Sequence, residues 1–150
     1  MENEMPTVRG CQLPDELLYD VENNIWYREN PDSTVTLGMT AVAAAMAGQL
    51  VAFTAKKVGR AVQGGKSCAT IESGKWVGPA KIAFDADVVE VNDALTGTPK
   101  LANDDPYGAG WMVKVRPKDW DAAKAALIPG TAVAAPFEAK MTADNFAGCA

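Results

Sequence analysis

Between residues 49 and 92 one strand-sized run follows another, with no helix-length segment between them. "QLVAFTA", "CATIES", "WVGPAKI" and "DVVEVN" are separated only by glycine-rich or polar turns. Parallel neighbours require a crossover of a dozen or more residues, usually a helix, so strands joined this tightly pair antiparallel. An all-parallel α/β sheet is therefore ruled out, and the body of the chain reads as mainly β.

The flanks fit the same reading. "NNIWYRE" and "STVTLG" are two short strands around the polar turn "NPDS", which makes a hairpin. Thr40 is placed to cap a two-turn helix, "AVAAAMA", with Gly48 as its terminator. "QLVAFTA" is expected to be a buried strand, and "VGRAVQGGKS" to be turns around a short one. "TGTPKLANDDPYGAG" reads as a loop by its Gly, Pro, Asn and Asp content. "WMVKVRP" is a strand stopping at Pro117. Beyond it "KDWDAAKAAL" and "TAVAAPFEAKMTADNF" look helical, with Pro136 a kink or early stop if the second begins at Thr131.

With 150 residues there is room for one domain and its core, so residues 1–150 are taken as a single unit. Within it, 1–23 reads as an N-terminal extension and 118–150 as a helical C-terminal extension packing on a core of 24–117. Acidic residues outnumber basic ones by 19 to 14, a net charge of −5. Nothing in that balance favours nucleic acid or an anionic membrane, both of which select basic patches. The opening "MENEMPTVRG" has no apolar core and so is not read as a secretory signal. The most apolar window, "TAVAAAMAGQLVAF", falls short of the ~20 residues of a membrane span. A reducing cytoplasm is the default expectation, and Cys11, Cys68 and Cys149 are read first as thiols.

There is no histidine. That removes the commonest general base and metal ligand, and every Ser-His or Cys-His nucleophile pair. The three cysteines have no zinc-ligand spacing and no Cys-x-x-Cys, so a metal site or a thiol redox protein is disfavoured.

What remains is the hairpin "CATIESGKWVGPAKI", with Lys75 at its tip. "TIESGKWVGPAKI" followed by "DVVEVND" resembles the lipoyl-bearing segment of glycine cleavage H proteins, and Asn92 lies seventeen residues after Lys75 as in that family. The likeness extends through "WYRE", "TLGMTAVAAAMAGQLV", "VGRAVQGGKSCATIES" and "PKLANDDPYGAGWMVKVRP", spanning residues 26 to 117. It implies a lipoyl-domain barrel-sandwich of two antiparallel sheets with lipoate amide-linked to Lys75. It also implies a non-catalytic carrier in a multi-enzyme system, not an enzyme. Gly74 is expected to supply a positive φ at the turn. Glu72 and Ser73 are expected to offer a lipoylating enzyme its polar approach, and Trp76 to stand partly exposed beside the lysine. Biotin carriers typically have methionine on both sides of the lysine, where this chain has Gly74 and Trp76.

Several positions depart from the family pattern. Its His-x-Trp is Asn24-x-Trp26 here, and Ala86 replaces a turn glycine, leaving the conformation there open. The Lys75–Pro79 run and the cysteine-bearing ends are similar to lipoate-binding proteins of the heterodisulfide-reductase-like pathway of sulfur oxidation. That likeness implies an arm carrying sulfur-derived groups or electrons to an Hdr-like complex. Its other partners would be a lipoate ligase or related lipoylation enzymes and a dihydrolipoamide dehydrogenase, with the carrier itself a monomer. The alternatives are an H protein of glycine cleavage carrying the aminomethyl group, and an unlipoylated H-like binding module. Cys11 and Cys149 pair only if the two extensions dock side by side.

Overall fold

A computed structural model describes residues 7–149 of the chain. Twelve strands and five helices are built as follows. Strands β1 (Thr7–Val8) and β2 (Cys11–Gln12) form a small hairpin, followed by β3 (Leu18–Asp20), β4 (Ile25–Glu29) and β5 (Val35–Met39). Helix α1 (Ala41–Ala47) leads into β6 (Leu50–Ala55), β7 (Ala61–Val62), β8 (Ser67–Ser73), β9 (Val77–Lys81) and β10 (Ala86–Val91). Then come α2 (Asp93–Gly97), α3 (Leu101–Asp104), β11 (Val113–Pro117), α4 (Trp120–Ala125), β12 (Ile128–Pro129) and α5 (Ala134–Ala143).

Every strand pairing is antiparallel. A seven-stranded sheet runs in the order β12-β3-β4-β5-β11-β10-β7, and a three-stranded sheet in the order β6-β8-β9. The main core brings together Tyr27, Leu37 and Val115 of the large sheet with Leu50, Phe53, Cys68 and Ile71 of the small one. This is the mainly β, flanked barrel-sandwich expected from the sequence.

Helix α1 begins where Thr40 accepts a hydrogen bond from the Ala43 amide at 3.2 Å. It ends at Gly48, whose φ of 81° is open to glycine at little cost. Trp26 is wholly buried under Gly38, where any Cβ would collide with the indole, and its Nε1–H donates to the Pro106 carbonyl at 2.9 Å. A second apolar cluster joins β1, β2 and the end of the chain: Val8, Leu13, Leu17, Tyr19, Phe137 and Met141.

Several expectations need correction. The stretch 96–110 is not a plain loop. Asn92 caps α2, and α3 adds a further turn; both are too short to show the helical period that a sequence reading depends on. Strand β6 is half-buried, because it forms one edge of the small sheet and turns Val51 outward, 55% exposed. The segment after 118 is not helical throughout, since β12 pairs with β3 between α4 and α5. Pro136 neither kinks nor stops α5. The helix starts at Ala134 after a 3-10 turn, so Pro136 lies in its first turn, where no N–H is required. Ala86 needs no special conformation, because it opens β10 as a buried residue opposite Val62 and Pro117.

The cysteines also depart from the expectation of three thiols. Cys11 and Cys149 form a disulfide with their Cα atoms 5.0 Å apart, and Cys68 alone is free. The physical reason lies in the packing of the ends. The Cys149 amide donates to the Arg9 carbonyl, and Arg9 itself binds Glu138, Thr142 and the Phe146 carbonyl. These contacts hold the last residues against the first hairpin.

Candidate functional site

The hairpin β8–β9 carries the candidate site. Beyond an irregularity at Ser67–Ala69, the two arms alternate towards the tip: Ile71 and Ser73 face inward from β8, and Gly78 and Ala80 from β9. Register is fixed by Thr70 opposite Pro79, Ile71 opposite Gly78 and Glu72 opposite Val77. Because β9 is an edge strand, the missing N–H of Pro79 costs no ladder bond there.

Ser73 closes the turn. Its amide donates to the Trp76 carbonyl at 2.7 Å, and its hydroxyl accepts from the Lys75 amide at 3.3 Å. The side chain is 5% exposed, so Ser73 lies beneath the turn rather than on the surface expected of it. Gly74 also differs from expectation. It is absent from the positive-φ glycines, and a Cβ added there would meet nothing within 4 Å. The conformation of the turn comes from Ser73, and an L side chain at 74 would fit.

Lys75 and Glu72 are both exposed, and among the described residues neither forms an ion pair. The Lys75 side chain runs across the end of α1; a Cβ on Gly48 would stand 3.4 Å from its Cε. Trp76 is 42% exposed, with its indole folded over Gly78 so tightly that a side chain at 78 would overlap the ring. Val51 and Val77, 55% and 61% exposed, lie on the neighbouring strands. Three of the four exposed large hydrophobic side chains among the described residues thus surround the hairpin tip.

Beside the tip is a cleft of ≈ 550 Å³. Its apolar lining comes from Ile25, Met39, Met46, Ala47, Ile71 and Ala80, and Lys75 and Trp76 stand among its wall residues. Glu22, Asn23 and Asn24 supply polar groups. Asn24, at φ 58°, has its Oδ1 buried without a hydrogen-bond partner.

Sequence reasoning missed the residue that builds the floor under the lysine. Asn103 donates its Nδ2–H to the Gly48 carbonyl at 2.8 Å and to the Ala44 carbonyl at 3.3 Å, while its Oδ1 accepts from the Leu50 amide at 2.8 Å. One side chain therefore ties the end of α1 to the start of β6. Its only sequence signal is its place within "LANDDPYG". Asn92, counted above as part of the lipoyl pattern, is a buried clamp: it caps α2 and donates to the Ala109 and Trp111 carbonyls.

Other chemistry finds little support. Cys68 is fully buried, and desolvation pushes its thiol up to about 12. Among the described residues no cluster of three or more metal-ligating side chains is present, and no helix is long and apolar enough to cross a membrane.

The family model described as "Glycine cleavage H-protein" matches residues 17–140. The chain is 56% identical over 128 residues to "Glycine cleavage system H protein 5" of Aquifex aeolicus, covering 83% of this chain and 86% of that protein. It is 40% identical over 130 residues to "Glycine cleavage system H protein 2" of the same organism, covering 87% and 81%. Among solved structures it is similar to a glycine cleavage system H protein from Mycobacterium marinum, with a TM-score of 0.72 at 30% identity. That match covers 86% of this chain and 98% of the other.

Proposed function

The chain belongs to the glycine cleavage H-protein family, and from that premise we propose that it is a lipoyl carrier with Lys75 as the attachment point. The observation that carries the proposal is the position of Lys75: exposed at a hairpin tip, beside an apolar cleft, on a turn that Ser73 holds. A lipoyl group fits these residues, since an aliphatic acyl chain ending in a dithiolane needs an accessible amine and an apolar surface on which to rest. When bound, it supplies a two-electron disulfide/dithiol couple at the end of a flexible arm.

The chain's own residues bind and orient. Amide formation removes one positive charge, taking the net charge from −5 to −6. Ser73 fixes the direction of the Lys75 backbone, and Gly48 leaves room for its methylenes. Trp76 and the cleft wall offer an apolar shelter. Glu72, exposed on the arm before the turn, is the group offered to a lipoylating enzyme. As a carrier of the H-protein family, the chain needs no catalytic group of its own and works as a non-catalytic subunit.

For the pathway, we propose carriage of sulfur-derived groups or electrons to a cytoplasmic Hdr-like complex, with dihydrolipoamide dehydrogenase completing the cycle. The Lys75–Pro79 run and the two terminal cysteines support this reading. So does the numbering of several H proteins in one organism among the relatives, which leaves room for carriers with separate duties. The names of those relatives favour carriage of an aminomethyl group in glycine cleavage instead. Offering the lipoylated protein to each system decides between them. Turnover with the Hdr-like complex and a reduced sulfur compound, without glycine–bicarbonate exchange, is the expected result; the reverse assigns the chain to glycine cleavage.

A further inference from the structure

The fourth exposed large hydrophobic side chain, Val58 at 63%, is far from the lysine. It sits past the opposite end of the small sheet. β8 runs seven residues from Ser67 to Ser73, so the two ends lie about 20 Å apart. Lys56 and Lys57 follow β6, Arg60 follows Val58, Lys66 precedes β8, and Lys81 ends β9, where it also lines the cleft that runs towards Lys75. All five cations are exposed, and among the described residues none forms an ion pair.

This charge is segregated along the chain. Residues 33–71 contain no Asp or Glu although the protein has 19, so the positive end stands out from an acidic molecule. Of the carboxylates on or beside β10, Asp85 accepts from the Gly64 amide at 2.7 Å, Asp87 pairs with Lys118 at 2.9 Å, and Glu90 pairs with Lys114 at 3.3 Å.

The loop is also clipped in place. Gly59, at φ 91°, donates to the Val88 carbonyl at 2.8 Å, and the Val88 amide donates to the Arg60 carbonyl at 2.9 Å. A backbone already fixed loses little conformational freedom on binding.

We infer that this basic end, with Val58 at its apex, is a second docking surface that takes an acidic face of a protein partner. The inference rests on the carrier reading, and the partner is an enzyme that works on the Lys75 arm. Docking there leaves the hairpin tip uncovered and holds the arm at a high effective concentration near the partner's active site. Segment 56–66 contains no aromatic residue, so it offers no platform for stacking bases. One valine gives little to insert into a bilayer, and a chain of net charge −5 is repelled by extended polyanions. A protein surface with a carboxylate rim and a shallow apolar notch matches what is displayed.

The test measures binding of the full chain to two purified enzymes of the same organism, its lipoylating enzyme and its dihydrolipoamide dehydrogenase. It compares wild type with the triple variant Lys56→Glu/Lys57→Glu/Arg60→Glu, and the mildly altered Lys56→Gln/Lys57→Gln guards against misfolding. The expected result is a Kd at least about tenfold weaker for one enzyme in the triple variant, a smaller shift in the double, and a flattened salt dependence. Unchanged Kd values for both enzymes overturn the inference. So does loss of binding only to phosphatidylserine-containing vesicles or to a short single-stranded DNA. Intact mass of the same sample is read separately. A missing lipoyl group counts against the carrier, whereas a lipoylated chain with unchanged Kd values counts against the docking surface alone.

Discussion

Lys75 rests on Gly48: the lysine's Cε lies 3.4 Å from where a Cβ on that glycine would be. The contact joins the hairpin tip to the end of α1, elements 27 positions apart in sequence. Gly48→Ala therefore has two effects. It forces a side chain into φ 81°, costing about 1–3 kcal/mol, and it crowds the lysine stem. Chemical denaturation is expected to show the first effect, and slower modification of Lys75 the second. A variant as stable as wild type rejects the account of this turn.

Asn103 supports the same corner through its hydrogen bonds to Gly48, Ala44 and Leu50. Truncating it strands backbone groups of which some are buried, at about 1–3 kcal/mol. Asn103→Ala is expected to lower the melting temperature and to raise amide exchange at Leu50 before it does so at Val115. Uniform exchange across both sheets would remove the local role given to this side chain.

Much of this was readable in the residues and some was not. Thr40, "AVAAAMA" and Gly48 form a capped helix in both the sequence and the structure, because cap, helix formers and terminator all agree locally. Residues 67–72 read as one arm of the hairpin, and β8 covers them. The Lys75 hairpin emerged from the family likeness, whereas the clamp by Asn103 depends on two segments more than fifty residues apart, which no local pattern encodes. Gly74 misled because a glycine beside a turn suggests positive φ, while the Ser73 hydroxyl does that work here. Pairing of Cys11 with Cys149 required knowing that the first hairpin meets the residues after α5.

That disulfide closes a loop of 138 residues, and constraints of this kind are worth about 2–4 kcal/mol. Cys149→Ser is expected to lower stability by that order while leaving the Lys75 hairpin intact. Thiol counting on unreduced, unfolded protein is expected to find one thiol, Cys68. Three thiols would contradict the bridge.

Cys68 also gives a pH dependence. Burial raises its folded value from 9.0 to about 12, so the folded state holds its proton more tightly than the unfolded state does. Stability from this group is full below pH 9 and is lost as the pH rises towards 12. Cys68→Ala is expected to flatten the alkaline limb of the stability profile. An unchanged limb would place the loss elsewhere.

Glu72 is expected to act in recognition rather than folding. Exposed and without an ion pair among the described residues, it contributes little to stability. Glu72→Ala is expected to melt with the wild type but to be lipoylated more slowly. A large loss of stability with normal modification would reverse the assignment.

The central claim is that Lys75 carries the lipoyl group. Peptide-resolved mass spectrometry of the protein from its native host, beside Lys75→Arg, tests it most directly. One lipoyl group on Lys75, absent from the variant, is the expected result. A lipoyl group on another lysine, or an unmodified Lys75 in the native protein, would contradict it.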